Sequence, residues 1–101
     1  MAVTFDPEEN EVRALQSLGV NFAGRRVLEI GAGKGRLTWR YAAQAAHVTA
    51  LEPVEERAAA ARAEMPGVLR GHVEFLTTSI ENFEPGRGSP GYDVAILSWV
   101  L

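Results

Sequence analysis

Four short apolar runs are spaced along the chain and predict β-strands. The first is too short for a helix, and the runs are separated by glycine, proline or polar residues that end regular structure. The first is flanked by glycine, and the third alternates apolar and polar side chains, as expected for a strand at the edge of a sheet. The predicted strands are 26–30, 48–51, 72–76 and 92–101.

Three other segments, one before the first predicted strand and two between strands, carry apolar residues at helical spacing. The first predicted helix begins after Asp6, a capping residue followed by Pro7, and ends at Gly19, so that residues 1–20 are interpreted as an N-terminal covering helix. The second is expected from about Gly35 to Ala46, and the third ends at Pro66. Their apolar stripes are Val12, Leu15 and Leu18; Leu37, Tyr41 and Ala45; and Val54, Ala58, Ala61 and Met65.

Alternating strands and helices predict an α/β fold with a parallel sheet. At 101 residues the chain has the size of one small domain. A net charge of −3 with scattered basic residues gives no indication of nucleic-acid binding, and the absence of cysteine leaves no disulfide or thiolate metal site. The acidic start of the chain is unlike a signal peptide, and no apolar run is long enough to span a membrane. We therefore expect a cytoplasmic protein without a metal site.

The most informative stretch is the turn after the first predicted strand, where Glu29 is followed by Gly31, Gly33 and Gly35. Glycines at alternate positions allow a tight turn and the close approach of a ligand. The sequence does not fit a P-loop, which needs Ser or Thr after Gly-Lys. It also departs from the dinucleotide fingerprint, because Arg36 stands where the third glycine is expected.

A second acid, Glu52, follows the second predicted strand, 19 residues after Gly33. An acid at this position can accept hydrogen bonds from the hydroxyl groups of a ribose. A helix-starting role for Glu52 is the structural alternative.

The glycine turn and Glu52 together resemble the class I S-adenosylmethionine-dependent methyltransferases. The resemblance implies S-adenosyl-L-methionine as cofactor. The methionine part would lie near Glu29 and the turn, the ribose near Glu52 and Pro53, and the adenine near the loop after the third strand. Ser79 stands where the family usually has an acid, so adenine recognition departs from the family pattern, and Ile80 follows it. The cofactor-binding residues implied are Glu29, Gly31, Ala32, Gly33, Gly35, Glu52, Pro53, Ser79, Ile80 and Ser98.

The same resemblance implies a Rossmann-like doubly wound parallel sheet with strand order 3-2-1-4. The family's domain continues with about three more strands, so the expectation is a cofactor-binding half, truncated after the fourth strand. That last strand would be an exposed apolar edge through which a homodimer could form. The expected acceptor is a small molecule, and no catalytic residue is assigned. The alternatives are a nicotinamide-dependent oxidoreductase fragment and a non-catalytic Rossmann-like remnant.

Overall fold

The computed structural model describes residues 2–5, 21–86, 88 and 90–98. The predicted helix after Asp6 and the last three residues of the predicted fourth strand lie outside the described residues. The strands are β1 (Ala2–Phe5), β2 (Arg26–Ile30), β3 (His47–Leu51), β4 (Val73–Leu76) and β5 (Val94–Ser98). The helices are α1 (Thr38–Tyr41) and α2 (Glu55–Glu64), followed by a 3-10 turn at Gly67–Leu69.

All four predicted strands are confirmed, and they form one parallel sheet. The sheet order is β1-β5-β2-β3-β4, so the four predicted strands follow the expected order 3-2-1-4. β4 lies at one edge, as its alternating pattern predicted. The reversal of strand order between β2 and β5 is the position at which open α/β sheets bind ligands.

The other edge of the sheet differs from the prediction. Residues 2–5, predicted as part of the N-terminal covering helix, instead form β1 and pair in parallel with β5. The fourth predicted strand is therefore not an open edge in this structure. Short extended runs of this kind become strands only through long-range pairing, and here the partners are more than 90 residues apart.

The helix after the glycine turn is shorter than predicted and ends at Tyr41 rather than Ala46. Beyond it the backbone makes i→i+3 hydrogen bonds, from Gln44 to Tyr41 and from Ala45 to Ala42. Bonds to the preceding connector then fix the chain, because Ala46 N donates to the carbonyl oxygen of Arg25 at 2.7 Å. The alanine-rich sequence is compatible with a helix, but these tertiary bonds draw the backbone out of it.

The core lies between the sheet and the two helices. The predicted stripes are buried at Leu37, Tyr41 and Ala45 and at Ala58, Ala61 and Met65, whereas Val54 is exposed. Tyr41 stacks on Phe22, with ring centroids 4.4 Å apart. In the part of the chain that the structure describes, no helix has the length and apolar character needed to cross a membrane.

Candidate functional site

Strand register brings the predicted site segments together at the carboxyl ends of the parallel strands. Ile30 is paired with both Leu51 and Leu97, and Leu51 is paired with Leu76. The residues that follow Ile30, Leu51 and Leu76 therefore leave the sheet side by side, next to Ser98, which ends β5. Backbone bonds extend the alignment: Gly31 N donates to Leu51 O at 2.9 Å, and Glu52 N donates to Leu76 O at 3.0 Å.

The glycine turn has the conformation that its glycines were expected to allow. Gly31, Gly33 and Gly35 have φ values of 76°, 61° and 86°, in the left-handed region that favours glycine. Space is also restricted at both ends of the turn. A Cβ on Gly31 would lie 2.8 Å from the carbonyl oxygen of Ser98, and a Cβ on Gly35 would lie 2.4 Å from the indole of Trp39.

Glu52 joins the glycine turn to the start of α2. Its Oε1 accepts a hydrogen bond from Gly33 N at 2.8 Å, and its Oε2 accepts one from Val54 N at 2.9 Å. The second bond matches the helix-starting role that the sequence left open, but the first ties the carboxylate to the turn. Each oxygen retains one lone pair, so the carboxylate keeps acceptor capacity for two hydroxyl groups.

Glu29 has a different environment. Its side chain is fully buried, and its carboxylate accepts hydrogen bonds from Thr38 Oγ1 at 2.7 Å, Tyr41 OH at 2.5 Å and Ser98 Oγ at 2.9 Å. Burial raises the pKa of Glu29, and the three hydrogen bonds oppose that shift. Burial and the neighbouring carboxylate raise the pKa of Tyr41 well above its usual value.

A cleft of about 210 Å³ opens beside the glycine turn. It is smaller than a typical ligand pocket, and its volume suits part of an elongated ligand. The predicted residues Gly31, Pro53, Ser79 and Ile80 line it. Four further lining residues were not predicted as site residues, namely Ile30, Leu51, Thr78 and Glu81.

The apolar members of this second group could have been inferred from the sequence. Ile30 and Leu51 are the last residues of two adjacent parallel strands, so they necessarily border whatever lies at the strand ends. Thr78 and Glu81 depend on the path of the loop after β4, for which the sequence has no periodic signal. Among the described residues that line the cleft, Glu81 is the only one with an ionisable side chain.

The remaining predicted residues lie around the cleft rather than on its wall. Ala32, Gly33 and Gly35 are buried within the turn, and Glu52 is only 2% exposed. Ser98 lies at the end of β5, with its hydroxyl on Glu29. The structure thus gathers the ten predicted residues around the carboxyl ends of the parallel strands. Within this group, the Ser98 hydroxyl donates a hydrogen bond to the Glu29 carboxylate.

A parallel sheet with a glycine turn at its switch point and an acid on the next strand defines a Rossmann-like nucleotide-cofactor domain. Residues 28–101 match the family described as "Methyltransferase domain". Because the match covers more than half of the chain, this chain belongs to that family, the class I S-adenosylmethionine-dependent methyltransferases, and contains the cofactor-binding region.

Individual relatives agree with this assignment. Phosphoethanolamine N-methyltransferase 1 of Triticum aestivum is 27% identical over 96 residues, which are 95% of this chain and 19% of that protein. Phosphoethanolamine N-methyltransferase 1 of Haemonchus contortus superposes with a TM-score of 0.69 at 19% identity, over 87% of this chain and 18% of that one. Magnesium protoporphyrin IX methyltransferase of Synechocystis PCC 6803 superposes with a TM-score of 0.66 at 23% identity, over 87% and 39% respectively.

The chain spans about a fifth of the curated wheat relative that it matches and less than half of these structures. The shared part is the sheet and turn that form the cofactor side of the domain. The family assignment favours the methyltransferase interpretation over the nicotinamide-dependent alternative.

Proposed function

We propose that this chain binds S-adenosylmethionine at the carboxyl ends of β2, β3 and β4, as the cofactor-binding portion of a methyltransferase. The observation that carries the proposal is the bond between Glu52 Oε1 and Gly33 N, which holds a carboxylate beside a glycine turn. The two groups follow the adjacent strands β2 and β3 and lie together at the carboxyl ends of these strands. This is the arrangement that the ribose and the chain of a nucleoside cofactor require.

Strand order supplies a direction for the ligand. Adjacent strands lie about 4.8 Å apart, so the turn after β2, Glu52 after β3 and the loop after β4 form three successive positions. The methionine part would lie at the turn, the ribose hydroxyls at Glu52 and the adenine between Ile80 and the apolar ends of the strands. Ser79 offers one short, uncharged acceptor in this last position.

S-adenosylmethionine, when bound, supplies a methyl group already activated by its sulfonium. The task of this chain is then to orient that group and to hold the cofactor away from water. The chain's own contribution is binding through the glycine turn, Glu52 and the cleft. No residue of this chain is assigned as a catalytic base.

The small-molecule acceptor is also a proposal. The wheat and Synechocystis relatives are named for phosphoethanolamine and magnesium protoporphyrin IX, which are both small molecules. They differ in size and chemistry, so they support the class of acceptor and not its identity. A cytoplasmic location stays a prediction from the sequence.

Calorimetric titration with S-adenosylhomocysteine tests the proposal, with NAD as the paired control ligand. We expect binding of S-adenosylhomocysteine alone. Glu52→Ala should weaken that binding about tenfold or more, because it removes charge-assisted bonds to the ribose and to the turn. Glu64→Ala, which removes an exposed acid at the far end of α2, is the matched control.

Binding of NAD instead would support the oxidoreductase alternative. Binding of S-adenosylhomocysteine without methyl transfer to any acceptor would favour the non-catalytic remnant. If Glu52→Ala and Glu64→Ala bind S-adenosylhomocysteine equally well, the ribose assignment is wrong.

A further inference from the structure

Glu29 does not have the surroundings of a ligand contact. Like Glu52, it is buried and is not among the described residues that line the cleft, so its hydrogen-bond partners are what set it apart. Its Oε1 already accepts two hydrogen bonds and its Oε2 accepts a third. All three donors are hydroxyl groups of this chain, which leaves little acceptor capacity for an ammonium group.

The donors come from the two elements that pack against the ends of the glycine turn. Ser98 belongs to β5, and its carbonyl oxygen restricts the space at Gly31. Thr38 and Tyr41 belong to α1, and Trp39 of the same helix restricts the space at Gly35. The Glu29 carboxylate is therefore hydrogen-bonded to both elements that flank the turn, α1 and β5.

We propose that Glu29 is a positioning residue: through Thr38, Tyr41 and Ser98 it holds α1 and β5 against the glycine turn, and it does not contact the ligand. The inference rests on the proposed function, because the turn matters only if a cofactor lies on it. It also assigns a role to Tyr41, whose ring would otherwise be interpreted as core packing against Phe22.

Two ligands distinguish positioning from direct contact: S-adenosylhomocysteine and its analogue without the α-amino group. A carboxylate that contacts the ammonium matters only for the first ligand. A carboxylate that shapes the turn matters equally for both. The variants are Glu29→Gln, which keeps an acceptor oxygen without the charge, and Tyr41→Phe, which removes one donor and keeps the ring.

Tyr92→Phe is the matched control, because Tyr92 OH donates to Thr49 Oγ1 at 3.1 Å, away from the turn. Each titration of the full chain is made at a temperature where circular dichroism shows the variant to be folded. We expect Glu29→Gln and Tyr41→Phe to weaken both ligands by the same factor, roughly threefold to tenfold, as expected for loss of a hydrogen bond. Tyr92→Phe should leave both affinities unchanged.

A selective loss of S-adenosylhomocysteine binding in Glu29→Gln would show direct contact with the ammonium group and overturn the positioning role. Unchanged affinities in Tyr41→Phe would also overturn it, even if that variant unfolds more easily, and both results leave the proposed function intact. Failure of the unmodified chain to bind S-adenosylhomocysteine overturns the proposed function and this inference together.

Discussion

Two buried carboxylates at neighbouring strand ends are satisfied in different ways. Glu52 receives two backbone N–H groups, which belong to the turn and to the start of α2. Glu29 receives three side-chain hydroxyl groups. Desolvation dominates at Glu29, so its pKa is raised despite three donors. Both carboxylates are buried; Glu52 joins two backbone segments, whereas Glu29 joins side chains of α1 and β5.

The raised pKa of Glu29 makes stability depend on pH. The folded state binds the Glu29 proton more tightly than the unfolded state does. The contribution of Glu29 to the free energy of unfolding is therefore fully present below the ordinary pKa of 4.5. It is lost as the pH rises through the raised pKa. Urea unfolding across this range should show the free energy of unfolding falling with pH more steeply in the unmodified chain than in Glu29→Gln.

His47 also makes the free energy of unfolding depend on pH, in the direction opposite to Glu29. Burial lowers its pKa, so its contribution to stability is lost as the pH falls. This contribution is common to the unmodified chain and to Glu29→Gln and cancels in their difference. Identical pH profiles for the two proteins would contradict the raised pKa of Glu29.

At the scale of elements, the glycine turn is constrained by conformation at every glycine and by contact at its ends. Gly24 and Gly35 separate these two effects. Gly24 has a φ of 67° with no atom within 4 Å of an added Cβ, whereas Gly35 has a φ of 86° and the Trp39 ring 2.4 Å away. Both alanine variants incur the cost of a left-handed backbone, about 1–2 kcal/mol.

Gly35→Ala should therefore destabilise the chain more than Gly24→Ala, because the Trp39 indole must also move. Urea unfolding measures the difference between the two variants. Tryptophan fluorescence, to which Trp99 contributes in both variants, reports the displacement of the Trp39 ring. Equal losses of stability, with unchanged tryptophan fluorescence, would show that the turn tolerates a side chain at Gly35.

Elements governed by local pattern could be predicted from the sequence. β2 has its predicted bounds because its apolar run ends at Gly31, and α2 keeps the buried stripe of Ala58, Ala61 and Met65. The pairing of the glycine turn with Glu52 also followed from spacing, since one strand-turn-helix passage separates adjacent strand ends. The role of Glu52 in ligand binding stays a prediction.

What could not be predicted depends on contacts between distant parts of the chain. α1 ends at Tyr41 because the following residues bond to the connector at Gly24 and Arg25. β1 exists only through pairing with β5. The three hydroxyl groups on Glu29 come from positions 9, 12 and 69 residues away, and no local periodicity marks the last of these.

At the scale of the whole molecule, β1 completes a five-stranded parallel sheet and covers β5. Its four residues pair with Ala95, Ile96, Leu97 and Ser98. The homodimer considered from the sequence used this same edge, so it requires β1 to leave. Pairing within one chain has the advantage over pairing between chains at low protein concentration, because it incurs no loss of translational entropy.

Deletion of residues 2–5 should expose the apolar edge of β5 and promote self-association. An unpaired strand edge is a template for pairing with another chain, and Val94 and Ile96 give β5 strong β-propensity. Light scattering after size exclusion, over a series of protein concentrations, should show the shortened chain growing in mass while the full chain stays monomeric. If the two chains keep the same mass at every concentration, β1 does not protect this edge.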